Sequence, residues 1–410
     1  MPRAFFLLLA VQLVSTLADS AFLIVAIARV IELAGPEELI PALKLAATFF
    51  YVLLAPMVGP IADRYRKGRV MLAANGLKVC AVGLLLLGLD PTLAIGMAGL
   101  GAAAYAPAKY GLVTELLPAR DLVRANGWFE GITVGATIFG TALGGVLVSP
   151  IMPTAALPAD WPVFNAASTT LVPAMAALLL LNSVALLLSA AVPDSGARYA
   201  SKHVRHKHLL QRFWSENRLL WRDPLGGLSM AVTTLLWGIG ATLQLLILRW
   251  AQEVLGLPLN QAAYLQGVTA IGVVAGAALA SRYLSLPTAT RVLPLGVVMG
   301  LLVPLMLFVD QVLWAAVLLV LVGALAGYFV VPMNALLQHR GCTLLTAGRS
   351  IAVQGFNENA GMLLMLSVYA VATAAQVPLS MLICSFGVVI TLGMFAIFRW
   401  RQPSALVTTS

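Results

Sequence analysis

The sequence is dominated by long apolar runs that are separated by short polar loops. A helix needs about 20 apolar residues to cross the hydrocarbon core of a bilayer, so runs of this length predict membrane-spanning helices. Of the 410 residues, 60% are hydrophobic and 10% are charged, whereas a soluble domain carries about 25% charged residues. A chain with so few charges has too little polar surface to cover a folded domain in water. We therefore predict an all-α integral membrane protein.

The apolar runs predict twelve spans, which leave too little chain for a soluble catalytic domain. The first run continues to about Glu32, which is longer than the apolar core of a signal peptide, so we expect a retained first helix. The predicted spans are 4–33, 39–61, 69–89, 91–112, 123–148, 168–192, 225–250, 260–284, 289–309, 311–336, 349–374 and 377–399.

The net charge of +9 is distributed unevenly over the loops. Alternate loops are rich in arginine and lysine, and the others carry mostly acids, which is the pattern that places basic loops in the cytoplasm. This predicts cytoplasmic termini, an even number of spans and no nucleic-acid partner. The basic groups are Arg64 to Arg69, Arg120 and Arg124, Arg198 to Arg222, Arg282 and Arg291, Arg340 and Arg349, and Arg399 and Arg401, and the acids are Glu37, Glu38, Asp90, Asp160, Glu253 and Asp310.

The longest polar stretch, residues 194–223, divides the chain into two six-span halves, residues 1–193 and 224–410. Its basic and aromatic residues permit two interpretations: an amphipathic helix on an anionic membrane surface, or a solvated linker that sets topology.

The two halves contain related segments. Pro107 is matched by Pro332 at an offset of 225 residues, and Glu130 is matched by Glu358 at an offset of 228. Each glutamate follows a glycine and an aromatic residue just after a basic loop. These matches indicate a duplicated six-helix unit, a construction in which the substrate site lies between the repeats near the bilayer midplane.

The segment Gly59–Arg69 resembles the conserved loop between the second and third helices of the major facilitator superfamily. In that family the loop latches one conformation of the transport cycle, which implies a latch formed by Gly59, Asp63, Arg64 and Arg69. A glycine allows close helix contact, and an acid at a helix end can accept hydrogen bonds from backbone N–H groups. The alternative is a basic loop that sets topology and happens to contain an aspartate.

Charged and polar side chains inside the apolar runs are candidates for substrate binding, because each is costly to place in a membrane. Asp19 lies halfway along the first span, where it could bind a cationic head group or pair structurally with another helix. Lys78 lies in the third span and Gln244 lies one repeat after Asp19. Arg249 is either a further candidate or an interfacial anchor.

A second candidate set lies near the predicted cytoplasmic ends of the helices. Lys109, Tyr110 and Glu115 are expected to form a gating network, although Lys109 can also extend its ammonium group to the interface. Glu130, Asn357 and Glu358 are further substrate-binding candidates, and the two glutamates can alternatively pair with Lys109 or with loop arginines.

Other chemistries lack their usual residues. The sequence contains no Gly-Lys dipeptide and therefore no Walker A loop. The cysteines are far apart, the predicted spans contain no histidine, and His203, His206 and His208 lie in the basic linker. We therefore expect no metal and no cofactor.

Several further stretches together resemble the bacterial lysophospholipid transporters of the major facilitator superfamily. The resemblance runs in the same order from the first to the eleventh predicted span. It is carried by Gly68–Met71, Ala74–Lys78, Gly101–Gly111, Leu122–Gly127, Phe329–Gln338, Ile351–Gln354, Asn357–Ala360 and Met362–Met365.

The resemblance implies a flippase that moves lysophosphatidylethanolamine and lysophosphatidylglycerol from the outer to the inner leaflet of the bacterial inner membrane. It also implies functional coupling to a cytoplasmic acyltransferase, and we expect a monomer. Asp19 matches the family's acid on the first helix, whereas a basic residue is expected where this chain has Gln244. The alternatives are an exporter of drugs or metabolites, a membrane-embedded acyl-transfer enzyme and a non-transporting scaffold.

Overall fold

A computed structural model describes residues 1–34, 43, 48–152, 170–197, 199 and 208–400. The predicted linker is therefore described only in part, and His203 and His206 lie outside the described residues. Three short 3-10 helices occupy Ala119–Asp121, Leu286–Val292 and Val303–Phe308. The α-helices are α1 Arg3–Glu32, α2 Ala55–Arg64, α3 Lys67–Leu86, α4 Pro91–Leu116, α5 Leu122–Leu147, α6 Val172–Ala190, α7 Leu209–Arg222, α8 Pro224–Glu253, α9 Leu259–Tyr283, α10 Leu293–Leu302, α11 Val312–Leu344, α12 Ala347–Ala374 and α13 Leu379–Trp400.

Each of the twelve predicted spans contains a helix in the structure. Nine helical segments in the described part of the chain are long and apolar enough to cross a membrane. The other three spans correspond to α4, α12 and the segment that contains α2. The protein is an all-α, multi-pass membrane protein.

The sequence prediction is wrong in one detail and lacks another. The span 289–309 corresponds to the apolar helical segment Leu286–Phe308, in which α10 is flanked by two 3-10 helices. Pro304 lies in the second of these, and a proline has no N–H to continue an α-helical ladder. In addition, α11 extends to Leu344 and includes His339, so a histidine does lie within a spanning helix.

The described residues cluster into two compact units. The first comprises residues 1–116, 135–211 and 346–355, and the second comprises residues 117–134, 212–345 and 356–410. These units assign 117–134 and 346–355 differently from the predicted halves, whose boundaries stay a prediction.

The first unit has an apolar core built by α1, α3, α4 and α6, with a contribution from the end of α5. Phe22 and Met175 are both buried in this core, and alanines fill the contacts around them. Small side chains let the helix backbones approach closely, which gives a membrane bundle its van der Waals packing.

The second unit is centred on the contact between α9 and α11. Glycines spaced four residues apart line both helices: Gly272 and Gly276 on α9 and Gly323 and Gly327 on α11. A Cβ on Gly276 would overlap the backbone carbonyl of Ala324. The two backbones therefore touch along this seam.

The linker helix α7 lies in the second unit from Arg212 onward and is amphipathic. Phe213 and Leu220 are buried, whereas Trp214 is exposed. Phe213 and Trp214 both make edge-to-face contacts with the Phe356 ring, at centroid distances of 5.2 and 5.4 Å. These contacts hold α7 against Phe356, the first residue of α12 that belongs to the second unit.

Candidate functional site

The middle of α1 carries polar side chains on one face. Gln12, Ser15, Thr16 and Asp19 follow the three- and four-residue spacing that places side chains together on a helix. Gln12 and Ser15 are buried. Because the rest of α1 is strongly apolar, this face is the polar surface that α1 presents within its unit.

Asp19 and Lys78 form an ion pair within the first unit. The Lys78 Nζ lies 2.5 Å from Asp19 Oδ2 and donates a further hydrogen bond of 3.0 Å to Ser15 Oγ. The Lys78 side chain is only 2% exposed, whereas the Asp19 side chain is 38% exposed. The cation is therefore enclosed by protein, while part of the carboxylate stays open to a ligand.

Neutral polar groups extend the pair to α3 and α6. Ser15 donates to Asn75 Oδ1 at 3.1 Å, and Asn75 donates to Ser189 Oγ at 2.8 Å. All three residues are buried, and a buried polar group must be hydrogen-bonded to be tolerated. We call Ser15, Asp19, Asn75, Lys78 and Ser189 the Asp19 cluster.

Lys109 lies beside this cluster on α4. Its ammonium donates to Gln12 Oε1 at 3.0 Å and lies 4.0 Å from the Tyr110 ring centroid. Lys78 and Lys109 flank the Tyr105 ring, at 5.3 and 5.5 Å from its centroid. Two buried ammonium groups thus meet one aromatic side chain, which adds positive potential near Asp19.

A second polar group surrounds Asp63 at the end of α2. Asp63 accepts hydrogen bonds from the Thr346 hydroxyl and from the Gly348 backbone N–H, the latter at 2.8 Å. The carboxylate therefore caps the first turn of α12. Lys67 Nζ and Arg349 Nε lie 3.9 and 4.0 Å from the Asp63 carboxylate oxygens.

Burial raises the pKa of Asp63 above its ordinary value, and its hydrogen bonds and neighbouring cations offset part of that rise. Gly59 explains why the contact is possible. A Cβ there would lie 2.9 Å from Arg349 Cα and 3.0 Å from Ala352 Cβ. The missing side chain lets α2 approach the start of α12 closely.

Glu115 belongs with the Asp63 residues in the structure. Lys67 pairs with Glu115, and the Tyr199 hydroxyl donates to the same carboxylate at 2.8 Å. Ser195 also donates to Glu115. The predicted gating residues are therefore divided, because Lys109 contacts Gln12, Tyr105 and Tyr110 instead.

Two predicted latch residues lie away from these contacts. Arg64 and Arg69 are exposed, and the Arg64 guanidinium lies 5.6 Å from the neighbouring Tyr65 ring centroid. Sequence reasoning missed Lys67, Thr346 and Gly348 as partners of Asp63. Lys67 lies within the motif, but no local pattern connects Asp63 with Gly348, a partner 285 positions away.

The remaining candidates lie in the second unit. Gln244 is exposed, and its backbone carbonyl accepts a hydrogen bond of 2.9 Å from Gln266. Arg249 pairs with Glu253 at 2.5 Å, one turn further along α8. Such a pair, four residues apart, is a common interaction on a helix surface, and both interpretations of Arg249, as a substrate-binding residue and as an interfacial anchor, stay predictions.

Asn357 joins α12 to the linker helix. It accepts from Trp221 Nε1 at 3.0 Å and donates to Asn217 Oδ1 at 2.8 Å. Glu358 is buried and Glu130 is half-buried. Within the described residues, no group of three or more histidine, cysteine or acidic side chains is placed to bind a metal.

The fold and sequence comparisons identify the family. The model of the Major Facilitator Superfamily matches residues 8–365. The chain belongs to the major facilitator superfamily. Facilitators of this superfamily carry twelve membrane-spanning helices in two pseudo-symmetric six-helix bundles, as the sequence predicted for this chain.

This facilitator has close sequence relatives. It is 37% identical over 377 residues to the lysophospholipid transporter LplT of Yersinia pestis strain Pestoides F, an alignment that covers 92% of this chain and 88% of the relative. The same values relate it to the LplT of Yersinia pseudotuberculosis serotype O:3. The relatives are transporters, and the acyl-transfer enzyme alternative is set aside: the protein is a transporter and not an enzyme.

Solved structures share the fold at low identity. The facilitator superposes on the transporter FucP in its outward conformation with a TM-score of 0.74, 14% identity and coverage of 97% of this chain and 98% of FucP. A bacterial homologue of ferroportin gives a TM-score of 0.70 at 16% identity, over 97% of this chain and 99% of that homologue.

Proposed function

We propose that this facilitator is a flippase that moves lysophospholipids from the outer to the inner leaflet of the bacterial inner membrane by alternating access. The substrates are chiefly lysophosphatidylethanolamine and lysophosphatidylglycerol. The sequence relationship to lysophospholipid transporters over nearly the whole chain supports this substrate class. The observation that carries the proposal is the buried Lys78 ammonium paired with a partly open Asp19 carboxylate.

This pair has the charges that a phospholipid head group needs. An incoming phosphate can replace Asp19 as the partner of Lys78, and the Asp19 carboxylate is then free to accept from the ammonium of phosphoethanolamine. The hydroxyl groups of phosphoglycerol can donate to the same carboxylate. Because Lys78 exchanges one anionic partner for another, its buried charge is not left without a partner during binding.

The single acyl chain of a lysolipid suits the surroundings of the Asp19 cluster. The core beside it is apolar and rich in alanine, so the chain can remain against helix faces or in the lipid while the head group crosses. In the second unit, the proposed substrate contacts are Gln244, Arg249, Glu130, Asn357 and Glu358. Lys109 and Tyr110 contribute to gating beside Asp19.

The proposed conformational latch is centred on Asp63. It also includes Gly59, Lys67, Glu115, Thr346 and Gly348, and Arg64 and Arg69 supply surrounding positive charge. The facilitator works as a monomer with both termini in the cytoplasm. A cytoplasmic acyltransferase consumes the delivered lysolipid, which draws transport inward without a cofactor.

Uptake of labelled lysophosphatidylethanolamine tests the proposal. Spheroplasts that lack their own lysolipid transporter are compared with and without this facilitator, and the label is expected to reach the inner leaflet only when the facilitator is present. A membrane-impermeant labelled solute controls for leakage. Equal lysolipid uptake by both preparations, at normal facilitator abundance, would show that lysolipids are not the substrate. The alternative of an exporter of drugs or metabolites would then be favoured.

A further inference from the structure

A groove in the second unit lies outside the Asp19 and Asp63 residues. It lies between the first turns of α5 and the last turns of α9 and encloses about 640 Å³. Its polar lining includes two arginines, one at the start of α5 and one at the end of α9. The lining residues are Arg124, Gly127, Trp128, Gly131, Ile132, Val274, Ala278, Ser281 and Arg282.

The two arginines place positive charge at one end of the groove. Both side chains are exposed, and neither guanidinium contacts a carboxylate among the residues that the structure describes. Arg282 instead lies 5.5 Å from the adjacent Tyr283 ring centroid. The lining contains no aspartate or glutamate. The groove lining therefore carries two positive charges that no carboxylate in the lining neutralises.

The groove is apolar away from the arginines. Ile132 lies eight residues beyond Arg124 on α5, and Val274 lies eight residues before Arg282 on α9, so both walls descend about 12 Å from the guanidinium end. Both helices are apolar enough to span a bilayer. Trp128 is 48% exposed near the charged end, which is a common place for tryptophan at a membrane interface.

Close packing of α5 against α9 forms the floor of the groove. A Cβ on Gly127 would lie 2.5 Å from Ser281 Cβ and 3.0 Å from the Ala277 carbonyl oxygen. The helices touch at this point, whereas a Cβ on Gly131 would meet Val274 Cγ1 only at 3.9 Å. The small residues thus leave an open trough with cationic and aromatic groups at its mouth.

We propose that this groove binds an anionic phospholipid of the surrounding bilayer. Arg124 and Arg282 hold the lipid phosphate, Trp128 packs against the head-group region, and one acyl chain lies along Gly131, Ile132 and Val274. Net negative charge is required because a zwitterionic head would bring its ammonium next to two guanidinium groups. The occupant is a resident lipid, so the site is separate from the proposed transport of lysolipids.

Lipid binding to the purified full-length facilitator in detergent tests the proposal. Dioleoyl phosphatidylglycerol is titrated and bound lipid is counted by native mass spectrometry, with dioleoyl phosphatidylethanolamine as the zwitterionic comparison. Wild-type protein is expected to bind one phosphatidylglycerol in preference to phosphatidylethanolamine. Replacing both groove arginines, Arg124→Gln with Arg282→Gln, is expected to weaken phosphatidylglycerol binding about a hundredfold, at about tenfold for each charge-assisted contact.

Matched controls separate the groove from general surface charge. Arg120→Gln with Arg291→Gln removes the same charge from two 3-10 helices outside the groove lining and is expected to leave binding unchanged. Gly131→Trp fills the trough while keeping both arginines and is expected to abolish binding, whereas Gly145→Trp, at an open position on the same helix, is expected to preserve it.

Three results would overturn the proposal. The first is wild-type affinity in the double groove variant, and the second is equal binding of the two diacyl lipids. The third is a preference for lysophosphatidylglycerol over the diacyl lipid, which would make the groove part of the transport route. Because none of these readouts measures transport, the proposed function can fail or succeed independently.

Discussion

At the scale of single residues, the unequal burial of Asp19 and Lys78 makes a specific prediction about stability. Asp19→Asn leaves the enclosed Lys78 ammonium without its carboxylate, and is expected to lower the free energy of unfolding by about 3 kcal/mol. Lys78→Met leaves a carboxylate that is already partly open, and is expected to cost about 1 kcal/mol. Thermal unfolding in detergent measures both.

The double variant Asp19→Asn with Lys78→Met is the control for this comparison. It removes both charges, so it is expected to be more stable than Asp19→Asn alone. An Asp19→Asn protein that unfolds at the wild-type temperature would show that the ion pair does not form.

The residues of the Asp19 cluster were only partly predictable from sequence. Asp19 and Lys78 are conspicuous because a charge inside an apolar run is costly. Their pairing was not predictable, since it depends on the rotation of α1 and α3 about their axes. Ser15, Asn75 and Ser189 gave no signal, because a small polar residue in a spanning helix usually bonds its own backbone.

At the scale of helices, Gly101 sets the approach of α4 to α3. A Cβ at Gly101 would lie 2.7 Å from the Ala74 carbonyl oxygen and 3.3 Å from Lys78 Cγ. Gly101→Ala is therefore expected to separate the helices, displace Lys78 and lower the free energy of unfolding by about 1–3 kcal/mol. Lysolipid uptake by Gly101→Ala is also expected to fall, because Lys78 is displaced.

Gly145→Ala supplies the matched control, because a Cβ there has no neighbour within 4 Å. This change is expected to be neutral or to stabilise the helix by up to about 1 kcal/mol. Equal thermal stability of the Gly101 and Gly145 variants would contradict the close contact of α3 with α4.

The start of α8 makes a prediction about pH. Asp223 caps the helix by accepting from the Gly226 N–H at 2.7 Å, and it pairs with Arg340 at 2.5 and 3.0 Å. Burial alone would raise the pKa of Asp223, but the hydrogen bonds from Arg340 and Gly226 lower it below its ordinary value. The ionised carboxylate therefore stabilises the fold, and this stabilisation is lost as the pH falls through the folded-state pKa.

Asp223→Asn is accordingly expected to lower the free energy of unfolding at pH 7 by about 1 kcal/mol, and with it the unfolding temperature. The difference in unfolding temperature from wild type is expected to shrink below about pH 4. Asp310→Asn removes an exposed loop acid and is expected to have no effect at either pH. A deficit in Asp223→Asn that stays constant with pH would argue against the ion pair.

The helices themselves were largely predictable, and the exceptions have physical causes. Apolar run length located all twelve spans, because a membrane helix must satisfy its backbone internally over a fixed thickness. The break around α10 depended on proline positions within an apolar run, which a hydropathy pattern does not register. The end of α11 was missed because His339 and Arg340 continue a helix beyond its apolar part.

At the scale of the whole molecule, the Asp63 contacts predict an effect on the transport cycle. Asp63→Ala removes the cap of α12, an interaction of about 1 kcal/mol, and is expected to shift the balance of transport states about fivefold and slow lysolipid uptake. Arg64→Ala removes an exposed charge of the same latch and is expected to slow uptake less than Asp63→Ala does. The initial rate of uptake per transporter in spheroplasts measures both.

The opposite order, with Arg64→Ala slow and Asp63→Ala unaffected, would show that the loop acts through its positive charge alone. The sequence motif located this latch but named Arg64 and Arg69 as its basic members. The geometry instead assigns Lys67 and Arg349 to the Asp63 carboxylate, whereas Arg64 and Arg69 are exposed.

The central claim is that Lys78 and Asp19 receive the lysolipid head group, and uptake by Lys78→Met tests it most directly. Arg29→Met is the matched control, since it removes another buried cation that pairs with an acid, Glu32, at the end of α1. Initial uptake of labelled lysophosphatidylethanolamine is measured in transporter-deficient spheroplasts and divided by facilitator abundance. We predict at least about a tenfold loss for Lys78→Met and near wild-type uptake for Arg29→Met. Wild-type uptake by Lys78→Met would contradict the claim.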